Sequence, residues 1–516
     1  MGKAGLVAAG ILLSRMAGLV RLRVFAHYFG LRSEAADAFN AAFRIPNILQ
    51  NLFGEGALSG SFIPVYAGLL AKGDPREADR VASAVGALLA CVVAVLVGLG
   101  VLATPLLITV LAPGFADDQR DLTIAIVRIL FPGAGLLVLS AWCLGILNSH
   151  HRFLLSYAAP VVWNAAMIAT LLLYGATSEP PRLAVILGWG SVVGSALQFV
   201  IQLPAVVRVA RVDAVWDITS AHVRSVITNF VPVFVSRGVV QLSAYIDTII
   251  ASLLPTGAVT GLFSAQIIYT LPVSLFGMSF AAAELPAMSG TAAAGPQASD
   301  ALRARLTPAL RQVAFLVVPS AVAFLAFGDV IAAALLQTGR FQAGDATYVW
   351  GILAGSAVGL LASTLGRLYS SMYYALRDPR TPLRFAIIRV VLTTVLGYLF
   401  AVPLPAFLGV PAAWGAAGLT ASAGMAGWVE MFLLRRGINN RIGWTGLPVD
   451  YAARLWLAAA LGAGVGWGIR FVLPAWHPIV VAVVVLGAYG VVYLGLAVLM
   501  RVPEVMSVLR RAPRPR

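Results

Sequence analysis

Six polar side chains punctuate one apolar stretch. Asp37, Asn40, Arg44, Asn47, Asn51 and Glu55 lie within SEAADAFNAAFRIPNILQNLFGEGALSGSFIP (33–64). On a helix at about 100° per residue they fall in one sector about 80° wide. At about 1.5 Å per residue the stripe is about 27 Å long, close to the thickness of a bilayer's hydrocarbon core. Such a face could pair charges internally, hold an ion, or grip a charged substrate. The arginines narrow the choice, because the guanidinium fork matches the oxygens of a phosphate. Ser14, Arg15 and Arg21 sit upstream in the first apolar segment, with Gly18 between the two arginines. Further on, Arg237, Gln241, Tyr245, Thr248 and Ser252 fall within about 80° of one another, with Ser243 and Asp247 on a neighbouring face. Gln266, Thr270, Gly277 and Glu284 fall within about 40°.

A soluble amphipathic helix would show the same pattern, so its meaning depends on the surrounding chain. Of 516 residues, 60% are hydrophobic and only 11% charged, whereas soluble domains are nearer a quarter charged. Mean hydropathy is +0.89. Apolar runs of 18 residues or more recur, plainest at 81–112 and 479–500, and each is long enough to cross a bilayer as a helix. The short alternating segments of a β-barrel are absent. The fold class expected is therefore an all-α polytopic membrane protein with about fourteen spans: 4–29, 35–70, 81–111, 122–148, 156–176, 183–206, 223–254, 259–289, 307–336, 346–376, 382–403, 408–434, 452–473 and 479–500.

The net charge of +15 does not indicate nucleic acid, because the basic residues sit in short loops between spans. Loops holding Lys72, Arg76 and Arg80, then Arg152, Arg208 and Arg211, Arg303 and Arg305, Arg377 and Arg380, and Arg435, Arg436 and Arg441 alternate with loops poor in Lys and Arg. The positive-inside rule then puts both termini in the cytoplasm, as an even span count requires. Polar spans 1 and 2 open one group of six and polar spans 7 and 8 open another. This suggests an N-terminal lobe (1–206), a C-terminal lobe (207–436), and two closing spans with a basic tail (437–516), the hydropathic mark of an internal repeat around a pathway. Pro46 should kink the second span, because it lacks an amide hydrogen.

Charge inside a bilayer costs several kcal/mol unless it faces a cavity or a partner. Four polar-faced helices are cheapest to house around a shared wet cavity between the lobes. Arg15, Arg21, Arg44 and Arg237 in its lining point to an anionic substrate. The rival reading is that these groups pair with one another as helix glue, and it suits isolated residues such as Arg128 and Arg389 better than the aligned stripe. Asp247 either ligates a coupling cation or pairs with Arg237 or a backbone amide. Cys91 and Cys143, both in apolar runs, read as small core residues. The five histidines fall near span ends or in loops without metal-ligand spacing. No Walker A, GxSxG or HExxH motif occurs, so the chain reads as a transporter and not an enzyme, with no cofactor.

Longer motifs carry a resemblance. LLSRMAGLVR (12–21), DAFNAAFRIPNILQNLFGEGALSGSFIPVY (37–66), APGF (112–115), GILNSHHRF (145–153), AAPVVWN (158–164), LLQTGRF (335–341) and YYALRDPRTP (373–382) are similar, in the same order, to the MurJ (MviN) family of lipid II flippases, in the multidrug/oligosaccharidyl-lipid/polysaccharide exporter superfamily. The resemblance implies two six-helix lobes around a cationic cavity, and alternating access that carries a lipid-linked disaccharide-pentapeptide outward across the bacterial inner membrane for peptidoglycan synthesis. Ser14, Arg15 and Arg21 match the family's first-helix polar residues; Asp37, Arg44 and Glu55 match its second-helix signature. The sequence departs where Gln50 and Ile267 align with arginines usual in the family, and where Leu22 replaces an acid. Expected partners are lipid II or a similar polyprenyl-pyrophosphate glycan, membrane lipids and cell-wall synthesis proteins. A sodium or proton gradient, or the membrane potential, supplies the drive. The rival functions are flipping of another lipid-linked oligosaccharide and a non-transporting scaffold for cell-wall assembly.

Overall fold

The computed structural model describes residues 3–213, 216–217, 219–292, 299–474 and 476–505. Within its helices the side chains of Glu55, Arg237, Gln241 and Ser243, all named above, lie outside the described residues. The described chain is helical, with one isolated β-bridge, Thr338 to Phe341, and no strand.

The helices are α1 (Lys3–Phe29), α2 (Glu34–Arg44), α3 (Asn47–Phe53), α4 (Glu55–Ala71), α5 (Pro75–Leu111), α6 (Asp117–Ser149), α7 (Phe153–Tyr174), α8 (Pro180–Val200), α9 (Leu203–Val207), α10 (Ala221–Ser252), α11 (Ala258–Pro272), α12 (Ser279–Ala292), α13 (Ser299–Leu336), α14 (Ala343–Ala375), α15 (Arg380–Ala401), α16 (Pro403–Phe407), α17 (Gly415–Ile442), α18 (Val449–Val472) and α19 (Pro478–Leu499). A π-helical turn, Val273–Met278, joins α11 to α12. Among the described residues, eleven helical segments are long and apolar enough to cross a bilayer. They coincide with the expected spans 3–6 and 8–14. The other three expected spans, 4–29, 35–70 and 223–254, are also helical, and with the eighth they carry the polar residues named above.

The second span differs from the single kinked helix expected. It is three helices, α2, α3 and α4. The chain leaves the first at Ile45–Pro46, where tighter bonds from Ile48 N to Ile45 O (3.3 Å) and Leu49 N to Pro46 O (3.0 Å) replace the regular ladder. It breaks again at Gly54, in extended conformation, where any Cβ would collide with the Gln50 carbonyl oxygen. The polar stripe is therefore cut after Arg44 and before Glu55, so the 100° periodicity holds only within each piece.

The chain forms two compact units. The first comprises Met1–Thr260 with Thr338–Phe341. In it α1 packs on α7, α6 on α5 and α8, and α4 on α10. The Thr338–Phe341 hairpin is hooked to the end of α1: Arg340 N donates to His27 O (2.9 Å), and His27 Nδ1 lies 2.9 Å from Thr338 Oγ1. The connector after α9 is tied to α5, with Arg80 bridging Asp217 (2.7 Å), Asp213 N donating to Ser83 Oγ (3.1 Å) and Ser220 Oγ to Glu77 Oε1 (3.3 Å). Cys143 is buried as expected, but Cys91 is exposed. Cys91 lies on the same exposed side of α5 as Val95, Leu99 and Leu102.

The second unit comprises Gly261–Gln337 and Gln342–Arg516. Its spine is α13 with α14 and α17, and α18 and α19 lean on α13. Three phenols join them. Tyr451 donates to Arg311 O (3.0 Å), Tyr493 to Phe315 O (2.7 Å) and Tyr489 to Pro319 O (2.7 Å). The acceptors are four residues apart, so they lie on one face of α13. Pro319 has no N–H to offer Phe315 O, and the Tyr493 hydroxyl fills that vacancy. Eight residues on, α13 bends at Phe327, which has non-helical angles (φ −134°, ψ 18°), and next to it Asp329 is held by both Nη atoms of Arg470 of α18, at 2.5 and 3.2 Å.

Tyr493→Phe leaves a carbonyl unsatisfied within the bundle. It should lower unfolding free energy by about 1–3 kcal/mol, whereas Tyr489→Phe, whose acceptor keeps its place in the helix ladder, should cost less. Thermal unfolding of the two purified variants checks the order; equal losses would remove the proline from the explanation.

Candidate functional site

The polar residues of α2 are positioned by contacts with the segment from α10 to the start of α11. Asp37 is 2% exposed. Its carboxylate accepts from Gly257 N (2.7 Å), Thr260 N (2.8 Å) and Thr260 Oγ1 (2.6 Å), all at the first turn of α11. This is an acid at a helix N-terminus, where free amide hydrogens and the helix dipole favour negative charge. Gly257 has φ +99°, a conformation that only glycine adopts readily, and this lets its amide face the carboxylate. Asn40, one turn on, donates to Thr260 Oγ1 (3.2 Å). Arg44, one turn further, donates from Nη1 to Thr248 Oγ1 (2.7 Å), while Tyr245 Oη donates to the Arg44 carbonyl (2.9 Å). Asp247 lies within electrostatic reach of Arg44. Half of the sequence stripe is thus engaged in holding α2 against residues 245–260. Asn47 and Asn51 are half-buried beyond the break, and Asn47 lines a small pocket with Phe43, Pro46, Trp163, Ser191 and Ser195.

On α1, Ser14 and Arg15 are half-buried. Arg21 has an aromatic setting that the sequence reading did not anticipate. Its guanidinium carbon lies 4.7 Å from the Trp163 ring centroid and 5.5 Å from that of Phe43, and Nη1 donates to Met167 Sδ (3.3 Å). Neither Arg15 nor Arg21 makes an ion pair among the described residues. Trp163 and Met167 are i and i+4 on α7, so they share a face. That spacing was visible in the sequence, where Trp163 is the sixth residue of the AAPVVWN motif.

Gln266, Thr270 and Arg389 belong to the second unit. Gln266 is exposed on α11, and Thr270 Oγ1 donates back to its carbonyl (2.7 Å). Arg389 pairs with Glu430 (3.1 Å), the helix-glue role considered for it above. Tyr269 Oη and Ser363 Oγ lie 2.9 Å apart, and Arg367, exposed on α14, lies within electrostatic reach of Tyr269, Arg389 and Glu430. Several of the longer motifs also find a structural task. In APGF, Gly114 N donates to Ser252 Oγ (3.3 Å) at the end of α10. In GILNSHHRF, His150 Nε2 lies 2.9 Å from Tyr66 Oη of α4. In YYALRDPRTP, Asp378 accepts from Thr381 Oγ1 (2.7 Å) and Arg441 Nη2 (2.6 Å).

Helices of which eleven, among the described residues, are long and apolar enough to cross a bilayer define a polytopic membrane protein. Solved structures with this fold include one described as lipid II flippase MurJ in an inward closed conformation, with a TM-score of 0.79 at 22% identity over 96% of this chain and 99% of that one. Another is an inward-facing multidrug-resistance MATE transporter of the MOP superfamily, with a TM-score of 0.68 at 17% identity over 85% of this chain and 99% of that one. The family model described as lipid II flippase MurJ matches residues 25–487. The lipid II flippase MurJ of Burkholderia cenocepacia is 33% identical over 442 residues, covering 84% of this chain and 83% of that protein. The chain belongs to the MurJ family.

Two outcomes follow from the geometry. Asp37→Ala leaves the α11 terminus and Thr260 without their acceptor, and should lower stability by about 1–3 kcal/mol, with Asp37→Asn intermediate; thermal unfolding reads both. In the loop outside the membrane, the bond from Thr381, opposed by partial burial and reinforced by Arg441, holds the Asp378 carboxyl down to about 2. Its folded value lies below its unfolded value of about 3.9, so its stabilisation is complete above about pH 4 and is lost as pH falls through about 2. Asp378→Asn should flatten the pH dependence of unfolding in that window and leave the neutral region parallel to the parent.

Proposed function

We propose that this chain is a lipid II flippase. It accepts the polyprenyl-pyrophosphate-linked disaccharide-pentapeptide from the cytoplasmic leaflet of the inner membrane and delivers it to the outer leaflet by alternating access, with both termini in the cytoplasm and no chemical conversion of the cargo. The observation that carries this is the family match across residues 25–487, combined with two half-buried arginines of α1 that make no ion pair among the described residues. An arginine within a bilayer-spanning helix is costly, and leaving it without a carboxylate partner suits a site that must receive an anion. Pyrophosphate offers the planar guanidinium fork several acceptor oxygens.

The membrane potential is the simplest drive in this proposal, at about 2.3 kcal/mol per charge per 100 mV. A sodium or proton gradient acting through Asp247 is the alternative, and Arg44 nearby would compete with a cation for that carboxylate. Gln50 and Ile267, where relatives usually place arginines, favour a second reading in which the cargo is another lipid-linked oligosaccharide.

The chain should restore growth to a bacterium depleted of its own lipid II flippase. Arg15→Ala and Arg21→Ala should each express, fold and fail to rescue, with substrate affinity down roughly tenfold to a hundredfold, the loss of one charged hydrogen bond of about 1.5–3 kcal/mol. Failure of the parent to rescue despite normal membrane levels would favour the other glycan. Rescue by both arginine variants would favour a scaffold.

A further inference from the structure

We infer that Trp163 is a positioning residue for Arg21, holding the guanidinium in place without neutralising it. The inference rests on the reading of Arg21 as a ligand for the cargo's pyrophosphate. A flexible arginine that awaits an anion presents a physical problem. Left loose, it loses conformational entropy on each binding event. Fixed by a carboxylate, it is ordered but its charge is already answered, and the incoming anion must compete with the acid.

The first unit avoids both outcomes. Two groups set against the Arg21 guanidinium are an aromatic face, 4.7 Å away, and a thioether sulfur at 3.3 Å. A cation over an indole is attracted by the ring quadrupole, most strongly of the aromatic side chains, yet the ring carries no net charge. Sulfur is only a weak acceptor. Both groups come from one face of α7, so a single helix presents the cradle.

The indole is itself fixed on three sides. Its Nε1 donates to both the backbone oxygen and Oγ of Ser191 on α8, each at 3.2 Å. Phe43 of α2 stacks on it with centroids 5.7 Å apart and planes 27° apart. On α8, Gly194 leaves room for the ring edge, since a Cβ there would stand 2.9 Å from Trp163 Cδ1 and 3.0 Å from its carbonyl oxygen. An indole N–H withdrawn from water needs an acceptor in any case; here the Ser191 bonds and the Phe43 stack together fix which way the face toward Arg21 points. A ring that must present one face to a cation needs its orientation set.

The test uses the full-length protein in nanodiscs and a lipid II analogue with a shortened prenyl chain as the probe. Arg21→Ala, Trp163→Leu and Trp163→Phe are compared with protein carrying mono-, di- and trifluorinated tryptophan at position 163. Fluorine drains the π face but barely changes the ring's shape. Trp163→Leu should weaken probe binding about tenfold, Trp163→Phe should recover part of it, and affinity should fall stepwise with each fluorine while the melting temperature stays constant. Flat affinity across the fluorinated series, with Arg21→Ala still impaired, overturns the positioning role and leaves the flippase reading standing. Parent-like binding by Arg21→Ala overturns the ligand role of Arg21 and the inference with it. If Trp163→Leu does not fold, the fluorinated series decides alone.

Discussion

A charge or open backbone group in hydrocarbon costs several kcal/mol, and the partners of the buried polar groups described above follow from that cost. Asp37 meets it with three donors at the first turn of α11. Arg389 meets it with Glu430, and Arg470 with Asp329. Arg21 meets it in a different way, through an indole and a thioether, which leave its charge available. The difference is between charges answered by an opposite charge and one that rests on uncharged groups.

The same constraint governs the prolines. A proline inside a membrane helix orphans a carbonyl, and Pro319 and Pro46 show two different responses to that loss. At Pro319 a donor is supplied, because Tyr493 of α19 reaches Phe315 O. At Pro46 the helix ends, and α2 and α3 are separate pieces joined by tighter turns. The last two helices thus have a concrete task in their own unit: they present phenols and an arginine along the length of α13, the arginine beside its bend at Phe327.

The break at Pro46 also divides the tasks of the polar stripe. Before it, Asp37, Asn40 and Arg44 are tied to Thr260 and Thr248. After it, Asn47 and Asn51 remain half-buried, with Asn47 at a small pocket beside Trp163. The tertiary contacts that anchor the stripe thus lie before the proline, and of the residues after it Asn47 reaches the small pocket.

Composition and periodicity alone determined the membrane setting, the all-helical class and the location of the polar residues. Apolar windows of bilayer length are a local property, and one sequence suffices to read them. The motif order was likewise enough to indicate the family. The unbroken stripe was not reliable, because a helical wheel assumes one axis and Pro46 and Gly54 impose three. Which polar groups are satisfied and which stay open was decided by tertiary structure. Asp37 and Arg44 look alike as stripe members, but their partners lie some 200 residues away in the chain, at 248–260. Arg21 and Trp163 are 142 residues apart, and only the packing of α1 against α7 brings the cation over the ring. Sequence shows which groups carry charge, but the energy of a buried charge is set by its neighbours in space, and those exist only once the chain has folded.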